Sequence, residues 1–203
     1  MTTVLMTGFE PFGGAAVNAS WEAVRQVSAP PGVDLRVRLL PCRFGAALDE
    51  LWRAVEREDP AVVIAVGVAD GRPDVSLERV AVNLDDAPIP DNAGAQPVDR
   101  PIVADGPAAY LATLPVKACA AAVRALGVPV GLSRSAGTFV CNHVFYGLMH
   151  RAATLRPGLR AGFVHVPHHA TLPPETAAAA LATIAGAAVR VRADLTSAEG
   201  ALH

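Results

Sequence analysis

Hydrophobic and polar positions along the chain follow two periods, one of two residues and one of three to four, and the switches between them mark the elements. Val4 to Thr7 is a short apolar run that breaks at Gly8-Phe9-Glu10-Pro11-Phe12-Gly13-Gly14, where glycine and proline forbid regular structure. This predicts a strand, then a loop. Asn18 or Ser20 can cap a helix through Trp21, Val24 and Val27, ended by Pro30-Pro31-Gly32. Leu35, Val37 and Leu39 alternate with Arg36 and Arg38, which predicts a strand with one polar face near a sheet edge. Phe44 to Glu58 carries helical spacing through Leu48, Leu51, Trp52 and Val55. Ala61 to Val68 is apolar on both faces, as expected of a central strand.

The second half repeats the alternation. Val116 to Leu126 reads as a helix stopped by Gly127, and Pro129 to Leu132 as the strand after it. A helix follows from Cys141 to about Leu155, with Val144, Phe145, Leu148, Met149 and Ala152 on one stripe. On that stripe's far side His143 and His150 are expected to be solvated. Gly162 to Val166 predicts another central strand, and Pro173 opens an alanine-rich helix to about Val189. Strands alternating with helices make the expected fold class α/β. The chain is expected to form a single three-layer α/β/α domain over residues 1–203, around a mixed, mostly parallel sheet with one or two antiparallel strands.

Two segments do not fit this rhythm. Leu84 to Asp105 is polar and rich in proline and glycine, and reads as a long ordered surface loop. Ser76 to Val82 reads as extended, with Ser76, Glu78, Val80 and Val82 on one face and Leu77, Arg79 and Ala81 on the other. Glu78 and Arg79 therefore cannot pair with each other. A carboxylate in so apolar a segment needs a partner from elsewhere, unless the strand is an exposed edge.

Composition narrows the function. Net charge is −2 and the basic residues are scattered, so no footprint for nucleic acid is present. The longest apolar stretch, Ala61 to Ala69, is too short to cross a membrane, and the first residues lack an export signal's charged and apolar regions. Cys42, Cys119 and Cys141 are far apart and odd in number, which suggests neither a disulfide framework nor a zinc site. A cytoplasmic location is expected. The glycine-rich first loop has Gly14 where a phosphate loop needs lysine, so phosphate binding is not expected there.

Candidate chemistry gathers at three positions. Cys141 opens a helix, where unpaired N–H groups and the helix dipole would lower a thiol pKa. It also lies on an apolar stripe, where a cysteine is ordinarily a small core residue. His165 lies near the carboxyl end of its strand, the edge at which α/β sheets form sites. His168 and His169 have no further ligand at metal spacing. A cysteine, a histidine and an acid joined by the fold would form a nucleophile, base and orienter set. Phe9 and Phe12 reach the same strand end, either to meet a ligand or to anchor the loop.

Four motifs, Thr7 to Gly14, Glu78 to Asn83, Ser135-Ala136-Gly137 with Cys141-Asn142, and Phe163 to Pro167, together resemble the pyroglutamyl peptidase I family, the pyrrolidone-carboxylate peptidases. The resemblance covers nearly the whole chain. It implies a cytoplasmic cysteine exopeptidase that removes N-terminal pyroglutamate from peptides, uses no metal or organic cofactor, and assembles as a homotetramer or dimer. It further implies that Cys141 is the nucleophile, His165 the base and acid, and Glu78 its orienter, with Phe9 and Phe12 lining the pyroglutamyl pocket. Family members commonly carry an oxyanion-binding arginine where Pro88 stands here, and asparagine where Arg134 stands; Arg134 is the candidate to compensate. Two rivals remain open: a nucleoside-phosphorylase-like enzyme on a similar scaffold, and a non-enzymatic binder of pyroglutamyl peptides.

Overall fold

A computed structural model describes residues 1–200. The strands are β1 (Thr2–Phe9), β2 (Val33–Leu40), β3 (Val62–Val68), β4 (Val75–Glu78), β5 (Val80–Val82), β6 (Ala109–Leu111), β7 (Val130–Ser133) and β8 (Arg160–Val166). The helices are α1 (Ala19–Val24), α2 (Ala46–Glu58), α3 (Val116–Arg124), α4 (Val140–Leu155) and α5 (Pro174–Arg190). Six strands form one sheet in the order β2-β1-β3-β8-β4-β7, and β5 pairs with β6 in a separate antiparallel ribbon.

β1, β2, β3 and β8 run parallel, whereas β4 meets β8 antiparallel and β7 follows β4. The expected single α/β domain with a mostly parallel sheet is what forms. Alternation decides the two faces. Val4, Met6, Ile64, Val66 and Val164 pack toward α1, α3 and α5, while Leu5, Val63, Ala65, Ala161 and Phe163 pack toward α2 and α4. β1, β3 and β8 are covered on both faces, which is why their buried stretches are mostly apolar. The charged β2 lies at an edge, as its pattern predicts.

Local chemistry sets the element ends. Asn18 accepts the Ser20 N–H at 3.0 Å and caps α1, which stops at Val24, shorter than expected. Asp59, in the left-handed region at φ 45°, ends α2, and Pro174 stands in the first turn of α5.

Two expectations are corrected. Ser76 to Val82 is not one strand, because the chain leaves the main sheet at Arg79, whose N–H donates to Ser133 and whose carbonyl accepts from Ala112. The far side of α4 is not solvated. The β5–β6 ribbon and the 84–105 loop cover it, burying His143 and Tyr146. His143 Nε2 accepts the Gly45 N–H at 3.0 Å, and its Nδ1 contacts Asp85 at 2.8 Å. His150, half-buried, bonds Tyr110 at 3.0 Å.

Candidate active site

The antiparallel run of β4 shapes the site. Ser76 stands opposite His165 and Glu78 opposite Phe163, so Glu78 lies two residues deeper in the sheet than the histidine. It is fully buried. From there Glu78 Oε1 reaches His165 Nδ1 at 2.7 Å. A carboxylate accepts, so Nδ1 carries the proton and Nε2 is left with its lone pair. The partner that the sequence required for Glu78 is therefore His165.

A second group reaches the same oxygen. Arg72 Nη1 donates to Glu78 Oε1 at 2.7 Å, and its Nη2 donates to the Ser135 carbonyl at 2.8 Å. The guanidinium offsets a buried negative charge and ties the loop before α4 to the carboxylate. Glu78 Oε2 is buried with no hydrogen-bond partner among the described residues. Sequence reasoning missed Arg72. Its only signal there is a cation between Gly71 and Pro73, close after a central strand.

Gly67 places the sulfur. On β3 it stands in register with His165 on β8, and paired residues of parallel strands face the same side. A Cβ built on Gly67 would lie 2.8 Å from Cys141 Sγ and 3.0 Å from the Phe163 ring. Neighbouring strands are about 4.8 Å apart, so the sulfur lies over the strand adjoining the one that carries the imidazole. The missing side chain makes that approach possible. Gly67→Ala is expected to displace the sulfur and lower kcat/KM about a hundredfold, and to lower the melting temperature as well because the new methyl crowds the buried Phe163 ring; steady-state kinetics at a temperature where the variant is folded, beside a thermal melt, check this.

Cys141 is the second residue of α4, after Gly137 in the left-handed region at φ 76° and Phe139 at the cap. Among the described residues no side chain caps this helix, which leaves the first-turn N–H groups for a ligand. The thiol does not behave as its helix position alone predicts. Burial pushes its pKa up, Cys42 and Glu78 add to the rise, and Arg72 opposes it. With its pKa raised above the ordinary thiol value, the thiol is largely protonated at neutral pH. Of the three thiols only Cys119 is hydrogen-bonded among the described residues, to the Ile184 carbonyl.

Asn142 fixes the surroundings. Fully buried, its amide donates to the Val82 and Leu84 carbonyls at 2.9 Å each and accepts the Val82 N–H at 3.1 Å. The long loop docks by similar means. Asp86 N–H donates to the Thr138 carbonyl at 3.0 Å, and Thr138 Oγ1 returns a 2.7 Å bond to the Asp86 carbonyl. Asn92 donates to Glu10 Oε1 and to the Pro11 carbonyl, both at 2.9 Å. Asp91 accepts the Phe44 N–H at 2.8 Å.

The two phenylalanines of the first loop differ in position. Phe9 is buried against Phe163 with ring centroids 6.4 Å apart, whereas Phe12 is half-exposed and 6.0 Å from Phe139. Of the two rings, Phe12 is the one left partly open to solvent, and Phe9 is closed within the core. Pro88 is exposed in the docked loop, and Arg134 is exposed with no ion pair or hydrogen bond among the described residues. The His168 and His169 rings lie with centroids 3.9 Å apart and planes tilted by 37°, and no group of three potential metal ligands occurs among the described residues.

The family model described as "Pyroglutamyl peptidase" matches residues 2–191. The chain belongs to the pyroglutamyl peptidase family. It is similar to the pyrrolidone-carboxylate peptidase of Streptomyces coelicolor, 53% identical over 100% of both chains, and to that of Chromobacterium violaceum, 61% identical over 82% of this chain and 78% of the relative. Its structure is similar to the crystal structure of pyroglutamyl peptidase I from Bacillus amyloliquefaciens, with a TM-score of 0.94 and 39% identity over 97% of this chain and 99% of that one. Membership of the pyroglutamyl peptidases makes the chain a hydrolase and a protease. Among the described residues no helix is long and apolar enough to cross a membrane.

Proposed function

We propose that Cys141, His165 and Glu78 hydrolyse the bond after an N-terminal pyroglutamyl residue through a thioester. The observation that carries this reading is the Glu78–His165 contact at 2.7 Å, with the Cys141 sulfur packed against the residue in register with His165. As Sγ attacks the pyroglutamyl carbonyl carbon, His165 Nε2 takes the thiol proton. First-turn N–H groups of α4 hold the oxyanion. Collapse breaks the C–N bond while Nε2–H protonates the departing amine. Water, giving a proton to His165, then attacks the thioester and releases pyroglutamate and the thiol. No step needs a metal or organic cofactor.

The lactam ring is neutral and small, so apolar contacts must identify it. Phe12, with Phe9 beneath, supplies them. The whole chain acts as one catalytic unit, in the cytoplasm, as a homo-oligomer of two or four subunits. Support for assembly is the resemblance together with Leu111, 65% exposed on the β6 ribbon.

Release of a chromophore from a pyroglutamyl amide tests the reading. Turnover is expected, and iodoacetamide is expected to abolish it. Because the thiol is raised above its ordinary value of 9.0, the thiolate fraction is small at neutral pH. Inactivation should therefore keep accelerating as pH rises past 9, the ordinary thiol value. A plateau below pH 7 would show a preformed thiolate instead. Full activity after alkylation would remove the thiol from the chemistry, no turnover and no binding would favour a phosphorylase-like enzyme, and binding without turnover a non-enzymatic protein. Arg134 approaches the oxyanion from solvent in this scheme, replacing the cation absent at Pro88. Arg134→Ala should reduce kcat about tenfold or more, and unchanged turnover removes that role.

A further inference from the structure

We infer that Arg72 is a positioning residue for the hydrolysis: its charge balances Glu78, so the buried Glu78–His165 pair draws in no extra proton and His165 Nε2 stays bare to take the thiol proton. The inference rests on the peptidase reading above. Glu78 is fully buried and the His165 side chain is only 5% exposed, so a net charge on the pair is costly. Among the described residues the ion pairs that reach Glu78 are those of Arg72 and His165, and both end on Oε1. Oε2 has no hydrogen-bond partner there, so the whole compensation falls on one oxygen.

With Arg72 in place, a guanidinium, a carboxylate and a neutral imidazole sum to zero charge. Without the guanidinium the buried pair carries a net negative charge, which one added proton neutralises. That proton has two places to go. On the carboxyl, it makes Glu78 a donor toward Nδ1 and moves the ring's own hydrogen to Nε2; on the imidazole, it leaves hydrogen at both nitrogens. In either case Nε2 has no lone pair.

The fold holds the guanidinium from both sides. Gly71, in the left-handed region at φ 83°, and the Arg72 N–H, donating to the Ala69 carbonyl at 3.3 Å, close the turn from β3 to β4. Beyond it, Nη1 goes to Glu78 while Nη2 is anchored on the Ser135 carbonyl, which also accepts Ser133 Oγ at 3.1 Å. The second anchor aims the charge at Oε1.

The test joins kinetics on a pyroglutamyl amide to nitrogen NMR of protein with isotope-labelled histidine at neutral pH, the His165 signals being assigned through His165→Gln. Wild type should show a bare Nε2 beside Nδ1–H. In Arg72→Gln that signal should give way to Nε2–H, with kcat down about 10²–10³-fold and KM within about twofold, because a base is lost and not a substrate contact. Arg72→Lys restores the charge, and should keep the bare Nε2 and a kcat within about tenfold of wild type. The double variant Arg72→Gln/Glu78→Gln should be within about threefold of Glu78→Gln alone, since both changes remove the same lone pair. Wild-type kcat in folded Arg72→Gln, a lysine variant as slow as the glutamine one, or losses that multiply in the double variant overturn the inference, while wild-type turnover leaves the peptidase reading standing. An Nε2–H signal in active wild type overturns it even where Arg72→Gln does not fold. Absence of turnover in the wild type overturns both.

Discussion

Cys141→Ala is expected to reduce turnover of a pyroglutamyl amide by about 10⁵–10⁶-fold, the scale on which enzymes respond to loss of a covalent nucleophile. The fold should barely notice. The thiol is half-buried and makes no hydrogen bond among the described residues, so its removal is expected to cost less than about 1 kcal/mol of stability. Cys141→Ser should be nearly as inactive, because a hydroxyl is a far weaker acid than a thiol and His165 would have to deprotonate it in the same desolvated position. Binding of the substrate amide should survive in both variants, since the ring contacts come from Phe12 and its neighbours. Near-normal turnover in either variant would remove the thioester mechanism, whatever the melting curve showed.

Glu78→Gln is expected to have the next largest effect, about 10³–10⁴-fold in kcat, by analogy with amide replacement of the acid in other triads. The reason lies in the shared oxygen. Arg72 and His165 both address Glu78 Oε1, at 2.7 Å each. A glutamine has one carbonyl for the two donors, and if Arg72 takes it the NH₂ group is turned toward His165. Nδ1 must then accept, Nε2 carries the proton, and the lone pair that would receive the thiol proton is gone. Leaving Arg72 beside a neutral amide is expected to cost about 1–3 kcal/mol, less than for a fully buried pair because the arginine side chain is 32% exposed. The two effects separate experimentally: a fall in melting temperature reports the lost ion pair, whereas loss of kcat at a temperature where the variant is folded reports the tautomer. A folded Glu78→Gln enzyme with wild-type kcat would show that the carboxylate does not orient the base.

Much of this molecule is legible in the order of its residues. The apolar run at Val4 predicts a strand and that at Ala61 a central one, and β1 and β3 are these strands; the alternating arginines of β2 predict an edge, and β2 is one. Cys141 at a helix start, His165 near a strand end and Glu78 in an apolar segment are all visible as unusual residues in their contexts. Three features were not visible. The burial of His143 depends on a ribbon and a long loop, both far away in sequence, closing over α4. The rise in the Cys141 pKa depends on how much water the packed chain excludes, which helix position does not reveal. Arg72 lies in a turn with no period, and only contact with Glu78 and Ser135 distinguishes it from an ordinary surface arginine.

By itself, the sequence determined the layers and the central strands, and it made Cys141, His165 and Glu78 stand out as candidates, because periodicity and residue type are local properties. Tertiary structure alone decided that β4 runs against β8, which sinks Glu78 beneath His165, and that Gly67 stands where the sulfur needs room. Strand direction and register arise from pairings between segments distant along the chain, and the distances at which a proton can move follow from them.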